Sequence, residues 1–175
     1  HGVIEGGKTC IWQDGLDIPL INALEANDYA VYDGKQPLEK PVNFSPMSFH
    51  ASGVIPADLV WDKPYSPLFK YSWKSVYPAL LESAKVNDGS AFDGILMHYS
   101  NPLTGGHVMQ TMGASIQLLR AGQHTKAHKH TGSFVYQCAK GSGYSIINGK
   151  RFDWKERDIF CIPSWAWHEH VNASE

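Results

Sequence analysis

The sequence predicts a mainly β protein, an antiparallel barrel or sandwich preceded by an irregular extension that carries one or two short helices. Three observations support this. After Gly94 the chain breaks into short apolar or alternating runs, divided by Gly, Pro and Asn turns roughly every ten residues. Asn148-Gly149, set between Ile147 and Lys150, is the sharpest hairpin signal in the chain and predicts a type I′ turn. Helical periodicity is confined to two stretches in the first half.

In chain order, Lys8 to Gln13 read as a short strand that stops at Asp14-Gly15. Asp17 then offers an N-cap, Pro19 sits in the first turn, and Leu20, Ile21 and Leu24 fall on one helical face. From Asn27 to Leu68 scattered prolines interrupt any period, so an irregular connector is expected. Its aromatics, Phe44, Phe49, Trp61, Tyr65 and Phe69, argue that it docks. Trp73, Tyr77, Leu80, Leu81 and Ala84 recur at helical spacing up to a stop at Asn87-Asp88-Gly89, with Pro78 obscuring where that helix starts. The predicted strands are Ile95–Tyr99, Ala114–Arg120, Ser133–Ala139, Tyr144–Ile147, Arg151–Trp154 and Ile159–Ile162. A further strand is expected after Pro163. The chain thus divides into residues 1–26, a connector with one helix at 27–90, and a barrel at 91–175.

Composition excludes several function classes. With 175 residues, 43% hydrophobic, 12% aromatic and 18% charged, the chain can bury a full-sized core. A net charge of -2 without a run of Lys or Arg argues against nucleic acid and anionic membrane as partners. No apolar run approaches the ~20 residues of a bilayer span. Cys10, Cys138 and Cys161 lie far apart with no CxxC spacing, which suggests a reducing cytoplasm and no disulfide framework.

The chemistry concentrates in the histidines, six of the nine lying after residue 106. In His128-Lys129-His130 the imidazoles are two residues apart, and on an extended strand such residues share a face. His168-Glu169-His170 repeats the pattern. Together they predict a metal centre held by His128, His130 and one of the second pair. Other metal motifs fail: Asn172 stands where HExxH needs its second histidine, and no cysteine pair accompanies the histidines.

These residues carry a resemblance. Gly122, His128-x-His130 and Gly141 resemble the first motif of the cupin superfamily, and Pro163, His168 and Asn172 fall at the spacings of the second. Within cupins, Tyr99-Ser100-Asn101-Pro102-Leu103-Thr104-Gly105-Gly106, His130-Thr131, Val135-Tyr136, Gly141-Ser142-Gly143 and Pro163-Ser164-Trp165-Ala166-Trp167-His168 are similar to the gentisate 1,2-dioxygenase group. That group includes salicylate and hydroxynaphthoate dioxygenases, which are bicupins. Ile11 to Leu20 resembles the stretch that follows their first barrel, so the chain is expected to be a fragment centred on the second cupin, with residues 1–26 the tail of a preceding one. Lys8 to Gln13 would then pair with the barrel as its closing strand, either within its own chain or across a dimer by strand exchange.

The resemblance implies a cupin-type jelly roll and an Fe(II)-dependent ring-cleaving dioxygenase acting on a hydroxylated aromatic acid. Its ligands would be His128, His130 and His168, and His170 would be a catalytic residue that helps to bind substrate and moves the phenolic proton. A small aromatic acid and dioxygen are the implied partners, in a homo-oligomer. Trp167, with Trp154 and Trp165, could line the substrate pocket. His124 is expected at the surface, and His98 and His107 in structural roles.

Two departures bear on this. Many cupins place a glutamate ligand where Phe134 or Val135 stands, so three neutral imidazoles would leave the metal its full charge and open positions for an anionic chelator and a diatomic gas. The family's active barrel is expected to carry an arginine at the place of Tyr136, and Tyr136 cannot form a bidentate ion pair. Substrate binding would then rest on Tyr136 with Arg120 or Lys129. Two alternatives stay open: a non-catalytic metal-binding half with a structural or assembly role, and a zinc or manganese cupin such as a sugar isomerase.

Overall fold

Antiparallel pairing organises the C-terminal half. The computed structural model describes residues 7, 12–31, 34, 41, 43–51 and 53–174, which fall into two compact units, 1–42 and 43–175. In the first unit α1 (Ile18–Ala23) carries Pro19 in its opening turn, as its φ preference allows. Asp17 serves at the N-cap position through its carbonyl, which accepts from the amides of Leu20 and Ile21, with no side-chain capping bond. The predicted strand at Lys8 to Gln13, and its pairing with the barrel, fall largely on residues 8–11, outside the described residues.

In the second unit a helix that the proline-rich sequence hides, α2 (Phe44–Phe49), follows Asn43 in the left-handed region at φ 66°. It exists because Phe49 is buried and because the Ser45 hydroxyl accepts from the Phe69 amide and donates to the Pro67 carbonyl. The next helix, α3 (Trp73–Val86), starts five residues before Pro78, whose missing N–H removes one bond to Lys74. Its tertiary packing outweighs that loss: buried Leu80 faces a layer of two paired strands, β1 (Ile95–His98) and β2 (Ser115–Leu118).

Two further sheets form the barrel wall. In one, β3 (Phe134–Gln137) pairs with β6 (Ile159–Ile162), placing Tyr136 opposite Phe160 and Phe134 opposite Ile162. In the other, β4 (Ser142–Ile147) lies between β5 (Lys150–Lys155) and β7 (His168–Asn172). The β4–β5 turn has φ 47° at Asn148 and 78° at Gly149, the left-handed pair that a type I′ turn requires. Along β4 burial alternates strictly, so Gly143, Ser145 and Ile147 face inward. Their register partners on β7 are Asn172, His170 and His168. Gly143 is a point of close approach, since a Cβ there would lie 2.0 Å from the Val171 carbonyl oxygen. Ile147, Ile162 and Ala166 form the buried core, with Tyr136 and Phe160 packed against it. The protein is mainly β, with a few short helices. Among the described residues no helix is long and apolar enough to cross a membrane.

Candidate metal centre

The segment carrying His128 and His130 pairs with β7 only intermittently. Bridges occur at His124–Val171 and His128–His168, where His128 and His168 exchange amide–carbonyl bonds of 3.0 and 2.9 Å. This pairing puts His128 beside His168, and the extended i, i+2 spacing brings His130 to the same point. Ring centroids lie 4.3 Å apart for His128 and His168, 4.8 Å for His130 and His168, and 5.7 Å for His128 and His130. One nitrogen from each ring falls within 4.8 Å of the other two.

The donor set fits a divalent metal ion. His130 Nδ1 lies 2.8 Å from the Gly132 carbonyl oxygen and His168 Nδ1 2.9 Å from that of Ala166; His128 Nδ1 is 3.5 Å from the oxygen of Lys126. A carbonyl only accepts, so in His130 and His168 Nδ1 carries the proton and Nε2 keeps its lone pair, the tautomer a metal needs. His168 is 1% exposed, and its Nε2 is buried without a protein partner. Burial, and then the neighbouring imidazoles, hold its pKa below the usual histidine value, which favours the neutral ligating form.

Two predicted residues and one unpredicted one stand around this cluster. His170, on the same face of β7, is 3% exposed, and burial lowers its pKa to about 4. Its ring lies 5.6 Å from His168 and 5.0 Å from Tyr136. Tyr136 stacks on Phe160 at 5.2 Å, and burial, then the negative charge of Asp93, pushes its phenol up to about 12. Asp93, which no metal-ligand motif in the sequence marks, has its Oδ1 3.7 Å from His128 Nε2. Ser90 holds this carboxylate in place: its hydroxyl donates to Asp93 Oδ2 at 3.1 Å and accepts from the Phe92 and Asp93 amides. Gly94 follows at φ +66°, where a Cβ would meet the Leu118 carbonyl oxygen at 2.7 Å. The Ser90-x-x-Asp93-Gly94 turn signal was present in the sequence, but its approach to His128 was not.

Other expected residues are engaged elsewhere. The Arg120 guanidinium donates to the carbonyls of Ala84, Asn87 and Asp88 at 2.7, 3.0 and 3.2 Å, closing the C-terminal end of α3. Trp167 is half exposed, and with Trp165 it flanks the Lys129 ammonium, which lies 4.9 and 4.5 Å from the two ring centroids. Arg120 and Lys129 therefore both have other partners. The Trp154 indole donates to Ser145, which contacts His170. His124 is half exposed beside Glu169, at 3.4 Å. His98 bonds Ser115 across β1 and β2, and the His107 ring lies 6.5 Å away.

This wall of antiparallel strands with a histidine cluster inside is a cupin barrel, and residues 115–175 match the cupin domain model. The chain is 37% identical over 171 residues to the 5-aminosalicylate 1,2-dioxygenase of Comamonas sp, covering 97% of this chain and 45% of that protein. It is 31% identical over 174 residues to gentisate 1,2-dioxygenase 1 of Aquipseudomonas alcaligenes, covering 99% of this chain and 50% of the relative. The fold matches a solved salicylate 1,2-dioxygenase from Pseudaminobacter salicylatoxidans with a TM-score of 0.79 at 24% identity, over 90% of this chain and 47% of that one. Residues 115–175 carry a cupin domain, and the chain is similar along nearly its whole length to about half of each of these 1,2-dioxygenases. It spans about half the length of the curated relatives it matches.

Proposed function

We propose that this chain supplies the metal-bearing barrel of an Fe(II)-dependent dioxygenase that opens the ring of a hydroxylated aromatic acid. The observation that carries the proposal is the convergence of His128, His130 and His168, with Nδ1 of His130 and His168 turned to backbone carbonyls and one nitrogen of each ring within 4.8 Å of the other two. The relatives' names support the substrate class: 5-aminosalicylate, gentisate and salicylate all carry a hydroxyl ortho to a carboxylate. Bound iron would supply positions for such a chelating acid and for dioxygen, and a route for electron density between them.

The chain's own residues orient the acid. Tyr136, kept neutral at physiological pH, donates a single O–H to the carboxylate in place of a bidentate arginine. His170 faces the phenolic oxygen, and the Phe134 and Phe160 rings wall the aromatic face. The same reading takes the protein to be a cytoplasmic homo-oligomer.

Full-length protein loaded with Fe(II) should consume oxygen with gentisate or salicylate as the ring absorbance disappears, and Tyr136→Phe should weaken acid binding roughly 10-fold or more without changing metal content. One observation favours a second reading. No arginine stands at Tyr136, and Arg120 is committed to α3, as would suit a barrel whose metal is structural. Stoichiometric metal without oxygen uptake on any of these acids would establish that reading instead.

A further inference from the structure

His168 and His170 lie on the same face of β7, and both have a buried Nε2 with no protein partner. Their Nδ1 atoms meet opposite chemistries. That of His168 faces the Ala166 carbonyl, which can only accept, so its proton sits on Nδ1. That of His170 lies 2.7 Å from the Ser145 hydroxyl oxygen, the residue directly across the β4–β7 ladder. The same oxygen receives the Trp154 indole N–H at 3.0 Å, and an indole N–H can only donate.

Ser145 is 0% exposed, so its one hydroxyl hydrogen needs an acceptor within the protein. If His170 donated from Nδ1, the oxygen would accept twice and two buried groups, the Ser145 O–H and the Nε2 lone pair, would go unpaired where the reverse tautomer leaves only one, a difference that disfavours this arrangement by roughly 10-fold. If Ser145 donates to Nδ1, the Trp154 N–H, the Ser145 hydroxyl and His170 Nδ1 are all paired, and the imidazole proton lies on Nε2, the one atom of this hydrogen-bonded set left for a ligand to meet.

We propose that Trp154 and Ser145 are positioning residues that fix neutral His170 as the Nε2–H tautomer, so that His170 meets a ligand at the metal centre as a hydrogen-bond donor and not as a base. The inference rests on the proposed function and sharpens its substrate class. The site accepts acids that present an anionic oxygen, a phenolate or carboxylate, to His170. Two histidines two residues apart on one strand thus hold opposite tautomers: His168 offers a lone pair and His170 an N–H.

The test is spectroscopic and needs no turnover. Full-length protein labelled with 15N-histidine, stripped of metal and separately loaded with diamagnetic zinc, is examined by long-range 1H–15N correlation, with His170 assigned from the spectrum of His170→Gln. The expected result is an unprotonated Nδ1 and a protonated Nε2, with the reverse tautomer below one part in ten. In Ser145→Ala the two tautomers should move toward equal populations. An Nδ1–H tautomer in the unaltered protein would overturn the proposal, and so would an unchanged His170 spectrum in a folded Ser145→Ala variant. Should that variant not fold, the unaltered protein decides alone. Failure of the proposed function reads out separately, as absent metal binding or absent oxygen uptake.

Discussion

Replacing His128 by Ala removes one of three converging imidazoles while leaving the backbone intact. The 3.0 and 2.9 Å bonds between His128 and His168 run from amide to carbonyl, so the bridge that positions His168 survives the substitution. Structural zinc sites with four ligands are worth about 10–16 kcal/mol at neutral pH, or about 2.5–4 kcal/mol per ligand if shared evenly. Dividing by about 1.4 kcal/mol per decade, metal affinity should fall roughly 100- to 1000-fold. The matched control is His124→Ala. His124 is half exposed, with Glu169 at 3.4 Å. A surface pair of this kind contributes ~0–1 kcal/mol and should leave metal affinity unchanged. Both variants would be reconstituted with Fe(II) or Zn(II), assayed for bound metal by mass spectrometry, and titrated against a competing chelator. Equal losses in the two variants, or full occupancy in the His128 variant, would refute the shared-centre argument.

Arg120→Ala should cost stability and not metal. Three donated bonds to the end of α3 disappear, worth about 1–2 kcal/mol at this exposed position, and thermal melting should fall by about 3–6 °C with metal content unchanged. Loss of acid binding without a change in melting would instead place Arg120 at the site. Acid should weaken the metal-free protein through His170. Burial lowers its folded pKa to about 4, below the unfolded value of about 6.5, so the unfolded chain takes up its proton first as pH falls. The associated stability is complete above about pH 6.5 and is lost on the way down to about pH 4, by at most about 3 kcal/mol. Denaturant unfolding across that window should show the slope, and His170→Gln should flatten it; identical slopes in the two proteins would contradict the burial argument.

What the sequence determined by itself was everything set by local period and turn chemistry. The strand predicted at Ile159–Ile162 has those bounds in the structure, the Asn148-Gly149 turn has the required positive φ at both residues, and the i, i+2 histidine spacing put ligand-bearing side chains on one face. The predicted helix at Trp73 holds despite Pro78, because its apolar face is long enough to be read through one interruption. Tertiary structure alone decided where side chains go when their partners lie far along the chain. The short helix at Phe44–Phe49 depends on Pro67 and Phe69, more than twenty residues away. Arg120, free in the sequence to serve a substrate, is drawn to the carbonyls of Ala84, Asn87 and Asp88. Asp93 reaches His128 through a turn fixed by Ser90, and Ser145 meets His170 only because β4 and β7 pair in one register. A one-residue slip of that register would turn His168 and His170 away from the barrel interior. Periodicity is a property of neighbouring residues and survives in one dimension, whereas a hydrogen-bond partner, and the tautomer it dictates, exists only once the strands have chosen their register.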